Sequence, residues 1–297
     1  MKKPPYLKKG DKIAIVATAR KISKEEIEPA VKELKTWGLE VVLGNNLFEE
    51  DHQFAGSLAQ RLSDFQQALD DNSVKAILCA RGGYGTVQLI DEIEFSNFKE
   101  HPKWIIGYSD VTVLHNHINQ NYQVQTLHAT MPINFQTTEK ESLISLKAAL
   151  FGEDFLYEFA NTSMNRAGNA RGILVGGNLS ILYSLTGTLS QIDTAGKILF
   201  IEDLDEYLYH VDRMIMNLKR AGMLDNLSGL IVGGMSNMND NTIPYGKTAE
   251  EIIAEHVAIY NYPVCFNFDA GHTNTNLALV MGREATLNVG SACSLKF

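Results

Sequence analysis

Residues 74–85 read VKAILCARGGYG, and this stretch decides the fold. The first half is a short apolar, strand-like run; the second half carries Gly82, Gly83 and Gly85, which turn the chain sharply out of it. The same alternation recurs on both sides. Upstream, residues 12–17 (KIAIVA) read as a buried strand. A capping box at Ser23 and Glu26 then opens a helix with Ile27, Val31, Leu34 and Trp37 at helical spacing. Gly38 ends that helix, and 39–43 are strand-like again. A second helix is expected over 57–70, with Leu58, Leu62, Phe65 and Leu69 on one face. Downstream come a helix over 86–93, a strand over 104–106 ending at Gly107-Tyr108-Ser109-Asp110, a helix from Val111 and a strand near 124–127. Repeated strand–helix units of this length predict a parallel sheet covered on both faces. Ligands bind such sheets beyond the carboxyl ends of the strands, and both glycine-bearing motifs fall there.

The chain has 297 residues, 45% of them hydrophobic and 21% charged, which suits two ordered domains or one large one. Its net charge of −9 repels polyanions and argues against a nucleic-acid or membrane-surface partner. No apolar run approaches the ~18 residues of a membrane span, and the apolar run at 13–17 is too short for the core of a signal peptide. Cys79, Cys265 and Cys293 are odd in number and lack paired spacing, so no disulfide framework or zinc site is expected. A cytoplasmic location is expected. Residues 151–170 are polar and lose the pattern. They read as a linker between an N-terminal unit, 1–150, and a smaller mixed α/β unit, 171–297. The latter has strands near 172–175, 197–201, 228–232, 263–266, 277–281 and 286–289, and helices near 178–185, 207–221 and 248–260.

Ser109 stands where a strand turns sharply into a helix. A hydroxyl there is exposed above the sheet, and the N–H of the next residue, Asp110, points toward a developing oxyanion. The alternative is that Ser109 or Asp110 simply caps the helix. The Gly82–Gly83 loop is either a tight turn or a set of N–H donors for an anion, and Arg81 beside it suits a substrate carboxylate or a neighbouring acid. A serine nucleophile needs a base and the base an orienting acid. Of eight histidines, His272 lies in a polar, glycine-containing loop between two strands, where catalytic groups concentrate. His115 and His117, two apart on a helix, diverge; His128, His210 and His256 have no distinctive setting. Four acids, Glu202, Asp203, Asp205 and Glu206, follow one strand, and their local sequence leaves open which would orient an imidazole. No metal or nucleotide motif is present, so no cofactor is expected. Residues 236–242 read as a turn.

These motifs together resemble the LD-carboxypeptidases of serine peptidase family S66, which includes the muramoyl-tetrapeptide carboxypeptidases and the microcin C self-immunity peptidase. The likeness runs over nearly the whole chain. In order, it rests on Leu7-x-x-Gly10-Asp11, Arg81 to Gly85, Gly107 to Asp110, Gly176-Gly177-Asn178-Leu179, Leu199 to Asp203, and Gly271-His272 leading to Asn276 and Met281-Gly282. The resemblance implies a triad of Ser109, Glu202 and His272, with oxyanion donors at Gly82, Gly83 and Asp110. It also implies an N-terminal domain like that of class I glutamine amidotransferases, a cleft site between the domains, and a homodimer. The expected substrate is a muropeptide tetrapeptide losing a terminal D-Ala from the L-centre of a diamino acid, with Arg81 and Asn178 as candidates for the free carboxylate. The alternatives are an S66-type peptidase acting on another acyl conjugate, as in antibiotic self-immunity, and a non-catalytic binding protein. Two departures from the usual pattern, Ala17-Thr18-Ala19-Arg20 after the first strand and His128-Ala-Thr-Met-Pro132, bear on the pocket rather than the triad.

Overall fold

The structure, a computed structural model, describes residues 1–153 and 156–297. In chain order the first part contains β1 (Lys12–Val16), α1 (Lys24–Thr36), β2 (Glu40–Leu43), α2 (Leu58–Asp70) and β3 (Val74–Cys79). It continues with α3 (Ser96–Glu100), β4 (Trp104–Gly107), α4 (Thr112–Tyr122), β5 (Thr126–His128) and α5 (Lys140–Phe151). The capping boxes at Ser23–Glu26 and Ser57–Gln60 both close, so sequence-local hydrogen bonds set where α1 and α2 begin. Neighbours β2, β1, β3, β4 and β5 pair in parallel. Alternate residues of these strands serve opposite cores: Ile13, Ile15, Leu78 and Ile106 face one, and Ala14, Val16, Ile77 and Ile105 the other. A strand buried on both faces has no polar side to spare. That is why these segments read as continuous apolar runs.

The second part comprises β6 (Leu156–Phe159), β7 (Gly168–Asn178), α6 (Leu179–Ser184), β8 (Ile198–Leu204), α7 (Leu208–Arg220) and β9 (Gly229–Ser236). After these come α8 (Ala249–Val257), β10 (Val264–Cys265), β11 (Leu279–Met281), β12 (Glu284–Val289) and β13 (Cys293–Lys296). Its sheet runs β10-β9-β8-β7-β12-β13-β6, parallel as far as β7 and antiparallel beyond. Among the described residues no helix is long and apolar enough to cross a membrane.

Four details differ from the sequence reading. Residues 151–170, expected as an unpatterned linker, contribute β6 as an edge strand and the start of β7; 154 and 155 within them lie outside the described residues. β11, expected with the second unit, pairs antiparallel with β5 and completes the first sheet. The expected helix over 86–93 is instead two short 3₁₀ turns, Thr86–Gln88 and Ile90–Glu92. On α2, Leu58 is 43% exposed while Arg61 and Asp64 turn inward. Arg61 is drawn in because it satisfies two buried carbonyls, described next.

Candidate active site

The chain leaves β4 at Gly107, passes through extended Tyr108, and enters the left-handed region at Ser109, φ +62°. A side chain in that region is uncommon and is tolerated only where the surroundings hold it. Here the ring of His115, on α4, hydrogen-bonds the Gly107 carbonyl at 2.8 Å and pins the turn from behind. A short 3₁₀ turn, Ser109–Val111, then leads into α4. Neither helix start has a side-chain cap, so the helix-cap reading of Ser109 and Asp110 does not hold. The Asp110 carboxylate is occupied elsewhere: it accepts the Thr86 N–H at 2.8 Å. Burial raises its pKa, against that hydrogen bond and the nearby Arg61 charge. Its side chain thus fastens the glycine loop to the serine turn, while its N–H opens the turn, where helix-start donors lack internal partners.

The glycine loop lies directly on the serine. A Cβ at Gly82 would stand 3.0 Å from Ser109 Cβ and 3.2 Å from its Oγ, closer than side chains normally pack. The loop is held from below by Arg61, whose Nη1 donates to the carbonyls of Thr18 (2.8 Å) and Gly85 (3.3 Å). Arg81 Nη1 donates to the Lys21 carbonyl at 3.3 Å. Nothing in the local sequence distinguished Arg61 from an ordinary surface arginine of an amphipathic helix.

His272 and Glu202 meet across 70 residues. The imidazole Nδ1 lies 2.6 Å from Glu202 Oε2, and the His272 backbone N–H donates to the same oxygen at 3.2 Å. Glu202 is 0% exposed, so this pair sits in a low dielectric where charge attraction is strong. Burial opposes the carboxylate's charge, yet the charge and hydrogen bond of His272 hold its pKa below the ordinary value. Burial likewise disfavours a charged His272, but the Glu202 charge and hydrogen bond, with Asp203 behind, raise its pKa above 6.5. The alternation of β8 sorts the acids. Glu202 follows Ile198 and Phe200 on one face, whereas Asp203 follows Leu199 and Ile201 on the other. Asp203 receives Asn178 Nδ2 (2.9 Å) and the Ser180 N–H (2.8 Å), and burial with the Glu202 charge pushes it up to about 7. Glu206 pairs with His210 at 2.6 Å.

Gly271 lets the histidine loop rest on the acid. Its φ is +101°, and a Cβ there would stand 2.6 Å from Glu202 Oε2 and 2.7 Å from Cγ. Gly271→Ala is therefore expected to lower unfolding free energy by about 1–3 kcal/mol, as overpacking does. It is also expected to reduce kcat/KM by displacing Glu202. Denaturant titration and steady-state kinetics on one preparation check both. A full kcat/KM with lowered stability would show that the contact does not position the acid.

Ser109, Gly82, Gly83, Arg81 and His272 line one cavity of about 560 Å³, together with Arg20, Tyr108, Met131, Asn134, Asp205 and Glu206. The Tyr108 and His272 ring centroids are 4.8 Å apart. Among the described residues no hydrogen bond joins Ser109 Oγ to His272 Nε2; the two residues line the same cavity. Asn178 lies outside the lining: it is buried, caps α6 and binds Asp203. His128, to which its local sequence gave no distinctive setting, is 0% exposed and packs its ring against Tyr108 and Phe200. Burial drives its pKa down to about 4 despite the Glu202 charge, so it stands beside the acid as a neutral ring. A lone histidine on a short apolar strand carries no local signal of this. Among the described residues no group of three or more His, Cys, Asp or Glu side chains is placed to hold a metal ion.

Comparison with known proteins places this geometry in context. Residues 13–129 match the family model described as the LD-carboxypeptidase N-terminal domain, and residues 171–287 match the LD-carboxypeptidase C-terminal domain. A Bacillus subtilis (strain 168) protein named "Probable murein peptide carboxypeptidase" is 35% identical over 291 residues, covering 96% of this chain and 91% of that one. The murein tetrapeptide carboxypeptidase of Pseudomonas aeruginosa is 26% identical, covering 93% and 92%. Among solved structures, the muramoyltetrapeptide carboxypeptidase from Oxalobacter formigenes has the same fold, with a TM-score of 0.87 at 24% identity over 96% of this chain and 98% of that one. An MccF-like protein from Bacillus anthracis gives 0.87 at 25% identity over 100% and 99%.

Proposed function

This chain belongs to the LD-carboxypeptidase family, and from that premise we propose that it is a serine carboxypeptidase releasing the terminal D-Ala of muropeptide tetrapeptides. The bond cleaved is the one to the L-centre of the diamino acid, in cell-wall recycling. The observation that carries the reading is His272, paired at 2.6 Å with the buried Glu202 and lining the same cavity as a serine held at φ +62°.

In this reading Ser109, Glu202 and His272 form the catalytic triad. Ser109 Oγ attacks the carbonyl that precedes the terminal residue while His272 Nε2 takes its proton. Glu202 holds the other ring nitrogen, which sets the tautomer and stabilises the imidazolium. The N–H groups of Asp110 and of the Gly82–Gly83 loop receive the oxyanion, each donor worth about 2.7–4 kcal/mol of barrier. His272 then protonates the leaving amine, the amino acid departs, and water, deprotonated by the same imidazole, hydrolyses the acyl-enzyme. The nucleophile and oxyanion loop belong to the unit 1–150 and the acid and base to 171–297, so catalysis needs both units. No cofactor takes part. The proposal includes a cytoplasmic homodimer, which sedimentation and cell fractionation test.

Incubation with a muropeptide tetrapeptide, followed by mass spectrometry, tests the substrate. Loss of one alanine is expected. Turnover of another acyl conjugate with no alanine release would move the chain to the self-immunity branch that the MccF-like likeness represents. Absence of turnover on any such conjugate, with no covalent labelling at Ser109, would leave a binding protein.

A further inference from the structure

Arg20 has no role in the chemistry described so far, yet it stands in the cavity with the nucleophile. It follows β1 by four residues, and the backbone on either side is tied down. Ala55 N–H donates to the Ala19 carbonyl at 3.1 Å, and Lys21 N–H donates to the Gln53 carbonyl at 3.0 Å. The side chain lies across Gly83: a Cβ at that glycine would come within 2.6 Å of Arg20 Cδ and 2.9 Å of Nε. The preceding glycine, Gly82, lies just as closely against Ser109, at 3.0 Å to Cβ. Adjacent Cα atoms are ~3.8 Å apart. Arg20 and Ser109 therefore rest against adjacent residues of one loop, Gly83 and Gly82, and line the same cavity. In a carboxypeptidase substrate, the free carboxylate lies one residue's length beyond the carbonyl that is attacked.

The charges around Arg20 are also informative. Acidic residues outnumber basic ones in this chain, 35 to 26. Even so, among the described residues neither Arg20 nor Arg81 has a carboxylate within ion-pair reach. Arg81 has one donor bound to the Lys21 carbonyl, which braces the loop that carries Arg20. Asp205 and Glu206 line the same cavity and would repel a carboxylate placed against them, whereas Arg20 and Arg81 would attract it.

We propose that Arg20 reads the free terminal carboxylate of the substrate, so that the site selects a C-terminal acid over the corresponding amide. This rests on the reading that Ser109 attacks the carbonyl preceding the terminal residue. A guanidinium presents a planar fork of donors that matches two carboxylate oxygens. A terminal carboxamide offers one oxygen and turns its own N–H groups toward those donors. The ammonium of a lysine keeps the charge and loses the fork.

The test compares a muropeptide tetrapeptide ending in D-Ala with the same peptide ending in D-alaninamide. In wild type the acid is preferred. In Arg20→Ala that preference in kcat/KM falls about 10- to 100-fold, the range of a lost charge-assisted hydrogen-bond pair, and the change appears in KM. Arg20→Lys recovers part of it. An acid-over-amide preference equal to wild type in Arg20→Ala overturns the proposal and leaves Arg20 a solvated surface charge. Calorimetric binding of the two peptides to Ser109→Ala protein, with and without Arg20→Ala, gives a readout independent of turnover. Failure of wild type to hydrolyse the peptide, with acid-selective binding that depends on Arg20, would count against the proposed reaction and for the carboxylate reader. Acid binding that Arg20→Ala leaves unchanged would count against the reader, whatever the outcome for hydrolysis.

Discussion

Replacing Ser109 by alanine is expected to lower kcat by about 10⁴-fold or more while the protein remains folded. The size follows from what the hydroxyl does. Without it there is no acyl-enzyme, and the remaining rate comes only from the oxyanion donors and from substrate held beside a histidine. Such residual catalysis is still about 10³–10⁴-fold above water in triad enzymes. The fold is expected to survive because the Ser109 side chain caps no helix, and the turn's own hydrogen bond uses the Ser109 backbone carbonyl, which alanine keeps. The turn is held by the His115 ring on the Gly107 carbonyl and by Asp110 on the Thr86 N–H. Alanine also meets the Gly82 loop with one atom fewer. The checks are single-turnover kinetics on the tetrapeptide and a thermal melt, with KM or Kd expected near wild type. A variant that keeps wild-type turnover would remove Ser109 from the mechanism altogether.

Replacing Glu202 by glutamine is expected to lower kcat by about 10⁴-fold and to move the acid limb of the pH–rate profile downward. The two effects share one cause. Glu202 Oε2 accepts the hydrogen on His272 Nδ1 at 2.6 Å, leaving Nε2 bare to act as the base. A glutamine amide can turn its NH₂ toward Nδ1 and favour the other tautomer, which has its proton where the base should be. The direction of the pH shift comes from the charges. In wild type the Glu202 charge raises the His272 pKa above 6.5 despite burial. The base works only when neutral, so wild-type kcat/KM falls as pH drops through that raised value. With glutamine that attraction is gone and burial, which lowers the pKa, is opposed only by the Asp203 charge, so the limb moves downward. Profiles of kcat/KM measured from pH 5 to 9 on both proteins decide it. A limb that stays in place would mean a group other than His272 controls the rate.

The parallel sheet, the turn at Ser109 and the placing of two glycine-bearing loops at strand ends were legible because each depends on neighbours in sequence. Capping boxes, glycines and apolar runs act over three to six residues, and the folded chain uses them where they stand. Reading failed where a local pattern met a distant demand. Leu58 was grouped with the apolar face of α2, yet it is Arg61 that turns inward, drawn by the buried carbonyls of Thr18 and Gly85. Residues 86–93 have helical spacing, yet the chain there breaks into 3₁₀ turns between the glycine loop and the core.

The candidate site divides along the same line. By themselves the amino acids singled out Ser109 and His272, since an exposed turn after a strand and a polar loop between strands are local facts. They left four acids open beside His272, and only the family resemblance named Glu202. The tertiary structure supplies the physical reason: alternation along β8 puts Glu202 and Asp203 on opposite faces, but which face meets the His272 loop depends on how the two sheets pack. Arg20 and His128 likewise come to the site through contacts 20 to 150 residues away along the chain. Sequence determines what each segment can become on its own, because those forces are short in range. Which side chains share a buried, low-dielectric space is decided only when the segments close on one another.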